Sequence, residues 1–197
     1  MAIKSLQHSS LTDNAFYRSV LAGNDAFEPD AEDFLEEVVL TSSASSVTFS
    51  GLDAYSDYKH LQIRMVARDS SYATALVANL NSDTGSNYSY HRLSGNGSSV
   101  SSGGTASQSY ANIGNMTGAD GYAADAFTAL VTDILDFSNS SKNTTLRTFS
   151  GGYDFTTVAL YSNAWYNTAA VTSIELQPVG ATSLVAGCRF SLYGSKG

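Results

Sequence analysis

Between Lys59 and Arg68 the chain alternates. Lys59, Leu61, Ile63, Met65 and Ala67 fall on one parity, and His60, Gln62, Arg64, Val66 and Arg68 on the other. A period of two is that of a strand with one apolar and one polar face. The same period returns from Leu184 to Tyr193, where Val185, Gly187, Arg189 and Ser191 alternate with Ala186, Cys188, Phe190 and Leu192. Shorter β-patterned runs lie at Val38–Leu40, Val47–Phe49, Leu76–Leu80, Tyr88–Leu93, Phe127–Phe137, Leu146–Phe149, Thr156–Tyr161 and Ala164–Tyr166. A penultimate strand is marked by Val171, Ile174, Leu176 and Val179 and ends around Pro178, which cannot donate to a ladder. The turn residues Asn81-Ser-Asp-Thr-Gly85 join two of these runs.

About eight to ten strands at short spacing, with no helix between them, predict an all-β antiparallel β-sandwich or jelly roll. A parallel sheet would need alternating helices, so a Rossmann-like enzyme is not expected. One stretch breaks the pattern. Residues 94–124 are rich in Gly, Ser and Asn and read as a long loop, anchored by Tyr110, Ile113, Met116 and Tyr122.

The region before residue 38 has a different character. Ser10 to Gly23 reads as one short helix. Thr12 would cap its start, Leu11 and Phe16 have hydrophobic-staple spacing, and Gly23 would cap its end. Phe16, Val20 and Leu21 give it an apolar side, but a helix this short is marginal in water without a partner surface. An acidic linker follows, in which Phe27, Phe34 and Leu35 are interleaved with charge and Pro29 breaks any helix. The expected organisation is therefore an N-terminal helical attachment arm over 1–37 and a sandwich domain over 38–197. Leu11, Phe16, Val20, Leu21, Phe27 and Phe34 are the arm's contact residues.

Charge sharpens that boundary. Asp25, Glu28, Asp30, Glu32, Asp33, Glu36 and Glu37 belong to a chain with 18 acids, 10 bases and a formal charge of −8. Outside this stretch acids and bases nearly cancel. The stretch calls for a basic or hydrogen-bond-donating counterpart, expected on a neighbouring subunit, with binding that weakens as salt rises. Charged residues make up only 14% of the 197, against about a quarter in ordinary domains. A surface of Ser, Thr, Asn, Gly and Tyr suits permanent packing against neighbours. The low pI and scattered Arg argue against nucleic-acid binding. No stretch is apolar enough to span a bilayer, and the first residues lack a secretory apolar core. Synthesis in a host cytoplasm, with no membrane partner, is the expectation.

Residues with chemical potential do not converge. Asn79, Asn81 and Asp83 precede Gly85 with a faint calcium-loop spacing, but Tyr90 stands where an EF-hand needs its bidentate Glu. His8, His60 and His91 have no ligand spacing. The single cysteine, Cys188, reads as a small buried hydrophobe. No nucleophile elbow or phosphate loop is present, and the acids outside the linker fall mostly in turns, with Glu175 the one Glu in the β body. No cofactor, metal or enzymatic activity is expected. The aromatic set Tyr153, Phe155, Tyr161, Trp165 and Tyr166 could pack at an interface or stack on sugars. Tyr153, Tyr161, Trp165 and Tyr166 are the candidate interface or glycan contacts.

The opening from Met1 to Phe27 resembles the N-terminus of structural proteins from tailed phages of marine bacteria and cyanobacteria. So do the segments Ser46–Leu52, Tyr58–Arg64, Asn81–His91 and Arg189–Gly194. The resemblance covers arm and body apart from the Gly/Ser-rich stretch. It implies a non-enzymatic virion protein displayed on the particle exterior, on the head or on the tail, with other virion proteins as partners; the sequence has no fibre-like repeat or long coiled-coil shaft, which favours capsid decoration or head appendage. Low charge, the polar Ser/Asn/Tyr surface and the unpartnered helix lead to the expectation that the sandwich self-associates, a trimer among the forms it would take. The alternative is a tail-fibre or tail-tip adhesin that binds host surface glycans.

Overall fold

The computed structural model describes residues 32–152 and 157–196. The helix expected over Ser10–Gly23, with Leu11, Phe16, Val20, Leu21 and Phe27, lies outside them, as do Tyr153 and Phe155.

The described residues form twelve strands: β1 (Asp33–Val39), β2 (Val47–Ser50), β3 (His60–Ala67), β4 (Thr74–Leu80), β5 (Tyr88–Gly95), β6 (Val100–Gln108), β7 (Ala111–Met116), β8 (Thr128–Leu135), β9 (Thr144–Gly152), β10 (Val158–Trp165), β11 (Ser173–Pro178) and β12 (Arg189–Ser195). A single 3₁₀ turn, Leu52–Tyr55, is the helical element among them. Eight strands make one sheet in the order β1-β12-β3-β8-β9-β10-β5-β6, and four make a second, β2-β11-β4-β7. The sheets are antiparallel and pack as a sandwich, as the alternation predicted.

The interior follows strand parity. Leu61, Ile63, Met65 and Ala67 of β3 are buried while Arg64 and Val66 are exposed. Phe190 and Leu192 of β12 meet Phe49 of β2, Leu80 of β4, Ile113 of β7 and Ile174 of β11 in one core cluster. A buried Leu, Ile or Phe gives roughly 1.5–3 kcal/mol relative to exposure, so this cluster supplies most of the drive to fold.

Three boundaries differ from the sequence reading. Strand β12 starts at Arg189, not Leu184, because Gly187 takes φ 91° in a turn closed by Cys188 N–H donating to Val185 O. Strand β1 starts at Asp33, so the end of the acidic stretch belongs to the sheet. Leu35, Val38 and Leu40 pack on the core, and Phe34 meets Tyr193 edge-on at 5.7 Å. Glu37 Oε1 accepts from Ser191 Oγ at 2.8 Å and from Arg189 Nη1 at 3.4 Å. For Glu37, then, the donating counterpart stands in its own sheet.

The third difference is the largest. The loop expected over 94–124 contains all of β6 and β7. Strand β6 reads Val-Ser-Ser-Gly-Gly-Thr-Ala-Ser-Gln, and every residue from Val100 to Ser107 is exposed. With neither face buried, it has no apolar period to reveal it. Backbone pairing with β5 holds it, helped by a 2.8 Å hydroxyl contact between Ser94 and Ser101. Its glycines have a reason. A Cβ at Gly104 would stand 2.7 Å from His91 Cδ2, so the His91 ring occupies the space a side chain would need.

Candidate functional site

The sequence-selected polar and aromatic residues near residue 83 assemble a structural knot. Asn81 and Ser82 take φ 52° and 57°, and Asp83 N–H donates to Leu80 O, which makes a type I′ turn between β4 and β5. Asp83 Oδ1 accepts from Gly85 N–H at 2.8 Å, and Asn87 Nδ2 donates to both carboxylate oxygens. Asp83 Oδ2 accepts from Trp165 Nε1 at 2.7 Å. The indole bond, ahead of those from Asn87 and Gly85, holds the Asp83 carboxyl below its ordinary value against the opposing effect of burial. Asn79 and Asn81 are spent on backbone and side-chain partners: Asn79 Nδ2 reaches Asp83 O and Ser109 O, and Asn81 Oδ1 accepts from Thr172 and Ser173 N–H. These side chains stitch loops together. Among the described residues, no group of three potential ligands is placed to hold a metal.

Trp165 is fully buried and stacks on Tyr88 at 6.3 Å. It cannot line a surface groove, and the expectation that it contacts a partner or glycan is corrected. The reason is parity: Trp165 shares a face of β10 with Ala159 and Tyr161, and that face points inward. Tyr161 is corrected likewise. It is 2% exposed, and burial raises its phenol above its ordinary value. Burial pushes Tyr88 up to about 12. Tyr166 stays exposed and its hydroxyl meets Ser89 Oγ at 2.9 Å. Phe34 is exposed at the opposite edge of the large sheet.

The surface with unspent apolar area is one the sequence reading did not select. It is the outer face of the large sheet. Strand register sets Arg64, Val131, Phe149, Leu160 and Leu93 in one row across β3, β8, β9, β10 and β5. A second row runs Val66, Ala129, Gly151, Val158, Gly95 and Val100. Phe149, Leu160, Leu93, Val158 and Val100 are between 49% and 75% exposed. Leu93, Val100, Phe149, Val158 and Leu160 border one shallow open depression, and Leu93 and Leu160 border a second with His91 and Arg147. On the other side of the first row, Asp133 accepts from Arg147 Nη2 at 2.8 Å and from Gln62 Nε2 at 2.8 Å. A paired polar line therefore bounds the apolar rows.

The interior behind these rows is unusually polar. Thr132 and Thr148 hydroxyls pair at 2.9 Å, Thr117 and Thr128 do the same, and Ser150 and Asn163 are buried. Strands β9 and β10 thus carry much of their apolar bulk outward. The signal was present in the sequence as apolar residues on both parities of Val158–Trp165. Alternation cannot say which parity faces in.

Cys188 is buried, as expected. Its thiol lies 3.3 Å from Arg68 N–H, and burial holds it above its ordinary value. His60 Nδ1 accepts from Asp136 N–H at 2.9 Å and serves the β8–β9 turn. No family model matches the chain, and neither the curated proteins nor the solved structures searched yield a match.

Proposed function

We propose that this chain is a non-enzymatic structural protein of a phage particle, carried on the particle exterior as capsid decoration or head appendage. The observation that carries the reading is the outer face of the large sheet. Five large apolar side chains stand half to three-quarters exposed in adjacent register. Contiguous exposed apolar area of this kind is uncommon on free monomers and marks contact surfaces. The low charge of the chain supports the same reading, because few charges would have to be desolvated on packing. The segments resembling virion proteins include Tyr58–Arg64 and Arg189–Gly194, which fall on the neighbouring strands β3 and β12.

The adhesin alternative loses Trp165 and Tyr161, which the fold buries. Immunogold labelling of purified particles of the encoding phage tests the proposal. Label on the head is the expected result. Label on the tail alone would refute the head assignment, and particles without the chain would refute the virion reading.

A further inference from the structure

The turn between β5 and β6 carries a reactive pair. Asn96-Gly97 is the one Asn-Gly step in the chain. The turn is closed by Asn96 N–H donating to Ser99 O at 3.1 Å and is flanked by the paired residues Gly95 and Val100. Asn96, Gly97, Ser98 and Ser99 are all exposed. Gly97 takes φ 85°, and no atom stands within 4 Å of where a Cβ would be. The Asn96 side chain folds back over the turn. Its Oδ1 accepts from Ser98 N–H at 3.0 Å, from Ser99 N–H at 2.8 Å and from Ser99 Oγ at 3.2 Å. The ring closed by the Ser98 bond contains both Asn96 Cγ and the Gly97 nitrogen, which keeps carbonyl carbon and nitrogen in one compact loop.

We infer that Asn96 is a self-modification site, where the folded chain converts asparagine through a cyclic imide to aspartate and isoaspartate. The Gly97 amide gives its proton to a solvent base, and its nitrogen attacks Asn96 Cγ. The N–Cγ bond forms, the Cγ–Nδ2 bond breaks, and ammonia leaves carrying a proton from water. A second water then opens the imide. Opening at Cγ gives aspartate, and opening at the main-chain carbonyl gives isoaspartate. Water is the co-reactant, and nothing is oxidised or reduced.

Two features select this position. In the tetrahedral intermediate negative charge develops on Oδ1, so the three donors already placed there bind the transition state more tightly than the amide. Glycine also offers a nitrogen that no neighbouring Cβ shields. Asn139 and Asn167 show the contrast. They make the same turn, with Oδ1 accepting from Ser141 N–H at 2.8 Å and from Ala169 N–H at 2.9 Å. Ser140 and Thr168 follow them, so the attacking nitrogen is crowded there.

Both products carry a new carboxylate, and isoaspartate also lengthens the main chain by one carbon. Gly95 and Val100 border the apolar depression together with Phe149, Val158 and Leu160. Conversion therefore sets a negative charge at the rim of the outer face. This inference goes beyond the virion proposal and stands or falls separately from it.

The test is a time course of the full folded chain in mildly alkaline buffer, beside the same chain unfolded in guanidinium. Peptide mapping reads aspartate and isoaspartate at each Asn. The expected result is conversion at Asn96 in the folded chain no slower than in the unfolded one, and at least about tenfold faster than at Asn139 or Asn167. Ser99→Ala, which removes the hydroxyl donor from an exposed turn, should slow the folded chain about threefold, less than such a donor contributes in a buried site. Slower conversion in the folded chain would overturn the inference, because the turn would then lock the amide instead of activating it. Conversion at Asn139 equal to that at Asn96 would overturn it too, as would an unchanged rate in folded Ser99→Ala. If Ser99→Ala does not fold, the comparison of folded with unfolded wild type decides.

Discussion

Asp83→Ala should unfold this protein more readily than its half-buried surface position suggests. The substitution removes acceptors for Trp165 Nε1 at 2.7 Å, Gly85 N–H at 2.8 Å and Asn87 Nδ2 at 2.9 Å. A hydrogen bond to a charged group contributes about 1.5–3 kcal/mol, and a buried donor left without an acceptor costs about 1–3 kcal/mol. The Trp165 ring is fully buried, so its N–H has little recourse to water. Allowing for partial solvent access of the other two donors, a loss of about 3 kcal/mol is expected, or roughly 6–12 °C in Tm for a domain of this size. Urea unfolding at pH 7 measures it, and Trp165→Phe closes a double-mutant cycle. The cycle should return a coupling of about 1–2 kcal/mol. The effect also has a pH signature. The folded-state carboxyl lies below its ordinary 3.8. Its contribution is therefore fully present above the unfolded value and is lost as pH falls through the folded one. The gap between wild type and Asp83→Ala should stay flat from about pH 7 to 5 and narrow below about 3.8. A loss under about 0.5 kcal/mol, or no coupling to Trp165, would refute the reasoning.

Two further expectations concern the edge and the thiol. Deleting residues 1–31 should leave the sandwich folded, whereas deleting 1–37 removes most of β1 with its Leu35 packing and its Glu37–Ser191 bond; a difference of about 2 kcal/mol between the two in urea unfolding is expected, and equal stability would contradict the place of β1 in the sheet. Cys188 is buried with its thiol held up by that burial; native protein at about pH 8 should react with a thiol reagent at least a hundredfold more slowly than urea-unfolded protein, and fast native labelling would contradict the packing.

Which features were legible in the sequence follows from what alternation can carry. Strand β3 was readable because only one of its faces is apolar, and the fold buries that face. The Asn81–Gly85 turn was readable because its residues tolerate positive φ. Strand β6 was not, because its order comes from backbone pairing and its side chains bury nothing. Strand β10 was readable as a strand but not in orientation. With Val158 and Leu160 on one parity and Tyr161 and Trp165 on the other, only the tertiary packing decides. That ambiguity hid the outer face and promoted Trp165 to a surface role it does not have.

In the proposed function, the outer face of the large sheet fixes this protein to its particle. Its direct test is incorporation: particles lacking the gene are supplied with wild-type chain or with Phe149→Asp/Leu160→Asp, and chain per particle is quantified by mass spectrometry. Both side chains are about half exposed and stand opposite each other across β9 and β10, so the paired aspartates should lower the melting temperature by a few degrees while leaving the variant folded at assay temperature. Incorporation reduced at least about tenfold is expected, the cost of desolvating two charges against an apolar partner surface. Incorporation of the folded variant at wild-type level would contradict it.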